Sequence, residues 1–305
     1  MEATKANAAY SAGAEDLGLL RKKLEKEQRA LRIHAFLKNK ASVVGLVLVL
    51  VMILIALAAP LLTGLSGTDP YTNAVAQRLQ APSAEHWFGT DDLGRDVFAR
   101  VIYGTRISLF VGFSVSVLAG AAGLLIGLYS CYNKVLDAVL MRICDGLKAI
   151  PSTLLAICLM AVLGPSIRNV ILSLAVVSTP SMARMVRSAA LSAREQTYVE
   201  AMTCLGATPS HILWRHIMPN TLSPVIVQMT FVFASAIITE AALSFLGAGV
   251  PVPEPSWGSI LSQGRTYIYT AWWLILYPGL FTAVSVMGFN LFGDGVRDLL
   301  DPLSH

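Results

Sequence analysis

A chain of 305 residues that is 55% hydrophobic and only 14% charged is too apolar for an ordinary soluble domain and has the composition of a polytopic membrane protein. The net charge of +4 says little alone and gives no reason to expect a nucleic-acid partner. Its distribution says more, because nine Lys and Arg precede residue 41, among them Arg21, Lys22, Lys23, Lys38 and Lys40, which places the N-terminus in the cytoplasm.

Residues 1–41 read as a cytoplasmic tail, polar and rich in Ala, Lys and Glu over 1–30, in the manner of a mobile segment or a loose surface helix. Six apolar stretches follow, at roughly 42–62, 107–130, 140–163, 167–188, 221–246 and 273–293, each near the ~20 residues a ~30 Å hydrocarbon core requires. The fourth is interrupted by Pro180, and Arg184 and Arg187 must snorkel from its inner end. Ala56-Leu57-Ala58 has the pattern of a signal-peptidase site, but the region before it is long for a leader and the apolar run continues to Leu62. An even number of spans puts both termini inside, which leaves sixteen Lys and Arg on the inner side and six on the outer, with Lys148 unassigned near the inner end of the third span, in agreement with the positive-inside rule. Tyr267, Tyr269, Trp272 and Trp273 then fall at the outer interface, where amphipathic rings settle. Residues 42–106 thus hold the first span and an outer segment, and 107–305 the transmembrane core.

Within the outer segment, Leu93, Val97, Phe98, Val101 and Ile102 share a helical face, and Asp91/Arg95 and Asp96/Arg100 stand four apart as helix ion pairs worth ~0.2–0.5 kcal/mol each. Gly89-Thr90-Asp91-Asp92-Leu93-Gly94-Arg95-Asp96-Val97, continuing through Tyr103-Gly104-Thr105-Arg106, resembles the segment ahead of span two in dipeptide and oligopeptide permeases and their nickel-transport relatives. The resemblance makes Asp92, Arg95 and Asp96 candidates for docking an outer binding protein; the alternative is an interfacial helix that orients span two.

Between spans four and five, at about 195–220, lies a polar island punctuated by Gly and Pro. Such an island belongs in water or against protein. Thr197 to Leu205 suits a short helix that Gly206 can end in the left-handed conformation. A second short helix follows, with Thr208 as its cap, Pro209 in its first turn, and Ile212, Leu213, Trp214 and Ile217 as its apolar face. Helices this short are marginal alone and need a surface to dock on, or the segment lies on the bilayer. Glu200, Ala201, Gly206 and Pro219 match the spacing of the EAA loop of ABC importer permeases, with Met202, His216 and Met218 at its other positions. His216 to Asn220 is similar to the peptide-transport branch.

Further similarity at Glu240 to Gly247, at Ser256-Trp257-Gly258, and at Phe289 to Asp298 with Asp301-Pro302 extends the resemblance over ~40–303. The chain resembles the C-type permease subunit of the dipeptide/oligopeptide class. That resemblance implies an all-α polytopic membrane protein with six transmembrane helices, the type I ABC importer permease fold and a cytoplasmic coupling helix. It also implies residence in a prokaryotic inner membrane beside a second homologous permease, two cytoplasmic ATPase subunits and an extracytoplasmic substrate-binding protein. Glu200, Ala201, Gly206, Ile212, Leu213, Trp214, Ile217 and Pro219 would couple to the ATPase.

No lysine follows a glycine, so no Gly-Lys-Ser/Thr phosphate loop exists, and ATP and Mg are expected on the partners. No cofactor, metal or catalytic residue is expected in this chain, since its five His and four Cys are scattered without ligand spacing and no catalytic triad can be assigned. Ionisable groups within spans are costly, which singles out Asp145 with Lys148, three apart and able to pair, and Glu240, which lies deeper and is the candidate for the translocation path. The alternative function is a stand-alone, ion-coupled transporter with Glu240 or Asp145 carrying the proton; an intramembrane enzyme is a third.

Overall fold

The computed structural model describes residues 36–300 together with Lys23, Leu24, Lys26, Glu27 and His34, so the expectations for the N-terminal tail and for Asp301-Pro302 fall almost wholly outside the described residues. The described chain is helical. The main helices are α1 (Lys40–Ser66), α2 (Val97–Tyr132), α3 (Lys134–Ala149), α4 (Ser152–Leu163), α5 (Ile167–Arg194), α6 (Thr197–Cys204), α7 (Pro209–Ile212), α8 (Met218–Phe245), α9 (Trp257–Gly264) and α10 (Trp273–Leu300).

α1 starts where the Asn39 side chain accepts from the amides of Ala41 and Ser42, and it stops at Gly67, whose φ of +67° suits a residue without Cβ. α2 carries glycines where α5 crosses it. A Cβ on Gly127 would stand 2.6 Å from Val186 Cβ, and one on Gly123 2.6 Å from Met182 Cβ, so only glycine allows this approach. The two helices form the centre of the bundle. α8 packs on both, α1 on α10 and α2, and α10 on α8.

Five helical runs are long and apolar enough to cross a membrane, and the sixth expected span is not straight. It breaks into α3 and α4, which meet at 95°. Ile150 before Pro151 is extended (φ −91°, ψ 132°), as sterics with the proline ring demand, and Pro151 cannot donate to continue the ladder. Twelve residues of α4 reach only about 18 Å at 1.5 Å each, too short to span alone. Conversely, Pro180 leaves α5 unbroken. Both prolines delete a donor, but Pro180 is buried in a helix held by α2 on its following turns, whereas Ile150 and Pro151 are exposed.

Trp273 also departs from the interfacial expectation. It is buried and donates Nε1–H to Thr90 O at 3.1 Å, while Tyr269 and Trp272 remain exposed. The core has two parts. One, around Val97, Val101, Ile237, Trp257 and Leu274, sits at the end where α2 begins. The other, around Leu128, Met182, Val186, Leu213 and Ile217, sits where α2 ends, beneath the helix pair that joins α5 to α8.

Candidate functional site

The α6–α7 elbow is built from its turn outward. Gly206 has φ +81°, its amide donates to Thr203 O (3.0 Å), and the Ala207 amide reaches back to Met202 O (3.1 Å). This is the paired-bond ending that a glycine after a helix permits. A Cβ at Gly206 would meet nothing within 4 Å, so the backbone angle alone, not crowding, requires glycine. Pro209 occupies the first position of α7 as expected. Thr208 stands at the cap position, but its side chain makes no capping bond, and the Thr208 carbonyl takes the Ile212 amide instead (3.1 Å). Leu213–Ile217 forms a π-helical turn that runs straight into α8.

The elbow has two faces. Val199, Ile212, Leu213 and Ile217 are buried in the core beneath it, and each such side chain contributes about 1.5–3 kcal/mol relative to exposure. Trp214 stays half-exposed against Tyr129, with ring centroids 6.4 Å apart. The opposite face exposes Glu200, Ala201, Gly206, His211, Arg215 and Pro219, and its tip is Leu205, 82% exposed. Of the eight residues expected there, Ile212, Leu213 and Ile217 therefore anchor the elbow, and the others remain at or near the surface. The exposed Leu205, His211 and Arg215 went unmarked in the sequence; their spacing opposite the buried positions was the available signal.

Fixed ties hold the elbow to the bundle. Arg194 Nη1 donates to Cys131 O (2.8 Å), fastening the end of α5 to the end of α2. Asn220 Nδ2 donates to Tyr198 Oη (2.9 Å), fastening the start of α8 to α6. Arg184 and Arg187 each find a carboxylate. Arg187 makes a two-pronged pair with Asp137 (2.5 and 2.6 Å), and Arg184 Nη2 lies 2.8 Å from Asp145 Oδ1, so both clamp α3 to α5. Asp145 thus pairs with Arg184 and not with Lys148, because the break at Ile150 turns α3 alongside α5.

At the far end of α2, the segment 89–96 is not helical. It forms a tight loop with left-handed Gly89 and Gly94 and a bridge between Thr90 and Asp96, and the helix begins only at Val97. Asp91 is wholly buried; its Oδ1 accepts from the Leu93 and Arg95 amides (both 2.9 Å) and its Oδ2 from Arg95 Nε (2.7 Å). The expected Asp96–Arg100 pair does not form. Asp96 instead caps α2 through the Ala99 amide (2.8 Å) and meets His86 Nδ1 (2.9 Å), while Arg100 turns toward Asp91 at 3.6 Å. Arg95 and Asp96 are buried, so of the three candidate docking residues only Asp92 offers side-chain surface. Nearby, burial and the Glu254 carboxylate push the Tyr71 phenol up to about 12, keeping its hydroxyl a donor to Glu254 (3.0 Å).

Glu240 is 0% exposed. Its Oε1 accepts from Ser244 (2.7 Å) and Ser256 (2.9 Å), and its Oε2 from Ser108 (3.4 Å). Ser256 also caps α9, so one carboxyl gathers α2, α8 and α9. A substrate contact at Glu240 would require displacing these hydroxyls. Among the described residues no group of three or more His, Cys, Asp or Glu could hold a metal.

The model of the family "Binding-protein-dependent transport system inner membrane component" matches residues 119–304, and that of the "N-terminal TM domain of oligopeptide transport permease C" matches 28–82. The chain is 45% identical over 272 residues (89% of it, 91% of the relative) to a putative peptide transport system permease protein of Brucella abortus. It is 47% identical over 266 residues (87% and 86%) to the dipeptide transport system permease protein of Alkalihalophilus pseudofirmus. The oligopeptide transport system permease protein of Bacillus subtilis is 40% identical over 284 residues (92% of each). In fold, an inward-facing MetNI methionine ABC transporter structure aligns with TM-score 0.56 and 21% identity, covering 66% of this chain and 96% of that one. With its helical spans, its glycine-turned elbow and these relatives, the chain belongs to the binding-protein-dependent ABC transport permeases, in their dipeptide/oligopeptide C-subunit branch.

Proposed function

We propose that this chain is a non-catalytic permease subunit of an ATP-driven importer for di- or oligopeptides or related small solutes in a prokaryotic inner membrane, with both termini cytoplasmic. It works with a second homologous permease, two ABC ATPase subunits that hold ATP and Mg, and an extracytoplasmic substrate-binding protein. The observation that carries this reading is the elbow: one face is buried in the bundle core, the other is open, and its ends continue into α5 and α8. A partner that pushes the open face displaces two spanning helices at once. Because the anchors Ile212, Leu213 and Ile217 tie the elbow to the α2–α5 centre, ATP-driven closure of the partners is transmitted as a shift between two packings of the bundle.

The coupling contacts are assigned to Glu200, Ala201, Gly206, Trp214 and Pro219, with Leu205 at the tip and Ile212, Leu213 and Ile217 as anchors. The ion-coupled alternative lacks support: Glu240 has no accessible surface, and Asp145 is occupied by Arg184. The test uses Cys204, exposed beside the tip. A membrane-impermeant maleimide, with the adduct mapped to Cys204, labels inside-out vesicles only, and partner ATPases protect it. Labelling of Cys204 from the outside, or peptide uptake that survives ATP depletion while an ion gradient is kept, sinks the reading.

A further inference from the structure

The two sides of α8 expose different chemistry. On one, a groove among α1, α2, α8 and α10 is walled by Phe110, Phe113, Phe233 and Phe289 and has almost no polar lining. On the other, α8 and the end of α10, with Met185 of α5, bound an open cavity of about 630 Å³ whose lining includes Asn220, Ser223, Gln228 and Arg297 beside Phe231. Ligand pockets commonly measure ~300–1,000 Å³ and combine apolar walls with a few placed polar groups.

Gln228 stands ten residues beyond Met218, the first residue of α8, so it lies about 15 Å along the axis at 1.5 Å per residue. Polar side chains at such depth in a spanning helix face a bundle interior or a water-filled path, and they mark substrate routes. Neither Gln228 nor Ser223 makes a side-chain hydrogen bond among the described residues, although both line the cavity. The carboxamide of Gln228 offers the donor and acceptor that one peptide unit complements, and the Ser223 hydroxyl adds another of each. Arg297, near the C-terminal end of α10, supplies a guanidinium suited to a terminal carboxylate. Met185 and Phe231 give adaptable apolar walls, which accept varied side chains without selecting one.

We propose that this cavity is a peptide-binding subsite on the translocation route, with Gln228 and Ser223 holding the peptide backbone and Arg297 the C-terminal carboxylate. The inference rests on the peptide-importer reading. Pro219 and Asn220 line the cavity and also form the end of the elbow, where Asn220 bonds Tyr198 of α6. Movement of the elbow therefore moves a wall of the subsite, which links the grip on the peptide to the cycle of the partner ATPases.

The experiment uses the complete importer in proteoliposomes and a photoreactive dipeptide bearing a diazirine. Adducts are expected on 219–231 of α8 or on the last turn of α10, and the C-terminal amide of the same peptide should label there about fivefold less. Arg297→Gln is expected to raise KM for the free acid about tenfold and to abolish the preference for acid over amide, while Gln228→Leu raises KM for both. Adducts confined to other segments, or both variants keeping the wild-type KM and acid-to-amide ratio, would overturn the subsite. Should a variant fail to assemble, the adduct map of the wild-type complex decides alone. A wild-type complex with no ATP-dependent peptide uptake fells the importer reading and the subsite together; intact uptake with adducts elsewhere fells only the subsite.

Discussion

The loop at 89–96 and the elbow at 197–217 look alike in sequence, each a polar stretch turned by glycine beside a spanning helix, but they use their polar groups in opposite ways. In the loop, Asp91, Arg95 and Asp96 are buried and spend their bonding capacity on neighbouring amides, on one another and on His86. In the elbow Val199, Ile212, Leu213 and Ile217 are buried, and Glu200, Leu205, His211 and Arg215 are left at the surface. A charged motif is therefore not in itself a docking surface. What matters is which half of its side chains the fold consumes.

Substitutions can break that contrast, the largest effect being expected in the loop. Asp91→Ala leaves Arg95 without its closest carboxylate and two amides without an acceptor in a dry interior, so a stability loss of about 3–5 kcal/mol is expected, seen as a lowered Tm or loss of folded protein in the membrane. A near wild-type Tm would return this loop to the class of exposed motifs. Next, Glu240→Ala should cost about 1–3 kcal/mol by stranding serine hydroxyls, while Glu240→Gln keeps one acceptor oxygen for Ser244 and Ser256 and loses less. Equal losses in thermal unfolding would contradict the gathering role.

In the elbow the expected pattern reverses, with function lost and stability kept. Gly206→Pro removes the amide that donates to Thr203 and forbids φ +81°, so uptake should fall to background while the spanning bundle stays folded; Gly206→Ala strains the backbone by only about 1–2 kcal/mol and should couple partially. Both variants are read by peptide uptake against partner ATPase turnover. At the exposed tip, Leu205→Asp should change stability by no more than about 0.5 kcal/mol yet weaken ATPase assembly, measured by co-purification. Smallest of all, Asp145→Asn breaks a half-exposed pair with Arg184 and should cost under about 1 kcal/mol in thermal unfolding.

Sequence by itself determined the helical class, the apolar spans, the position of the glycine turn in the elbow and the family, because those depend on local composition, apolar run length and short spacings. Tertiary structure alone decided the rest. Two prolines with the same missing donor had opposite outcomes, since packing by α2 carries α5 through Pro180 while Ile150 and Pro151 are exposed among the described residues. Asp145 took Arg184 as its partner, and Asp96 took an amide and His86, because residues distant in the chain arrived closer than those three or four positions away. Likewise, whether Glu240 faced a path or a ring of serines depended on Ser108 and Ser256 being brought to it from other elements. Local pattern encodes which segments are helical and apolar; the choice among partners for a charge is a matter of distance in three dimensions, which spacing along the chain does not contain.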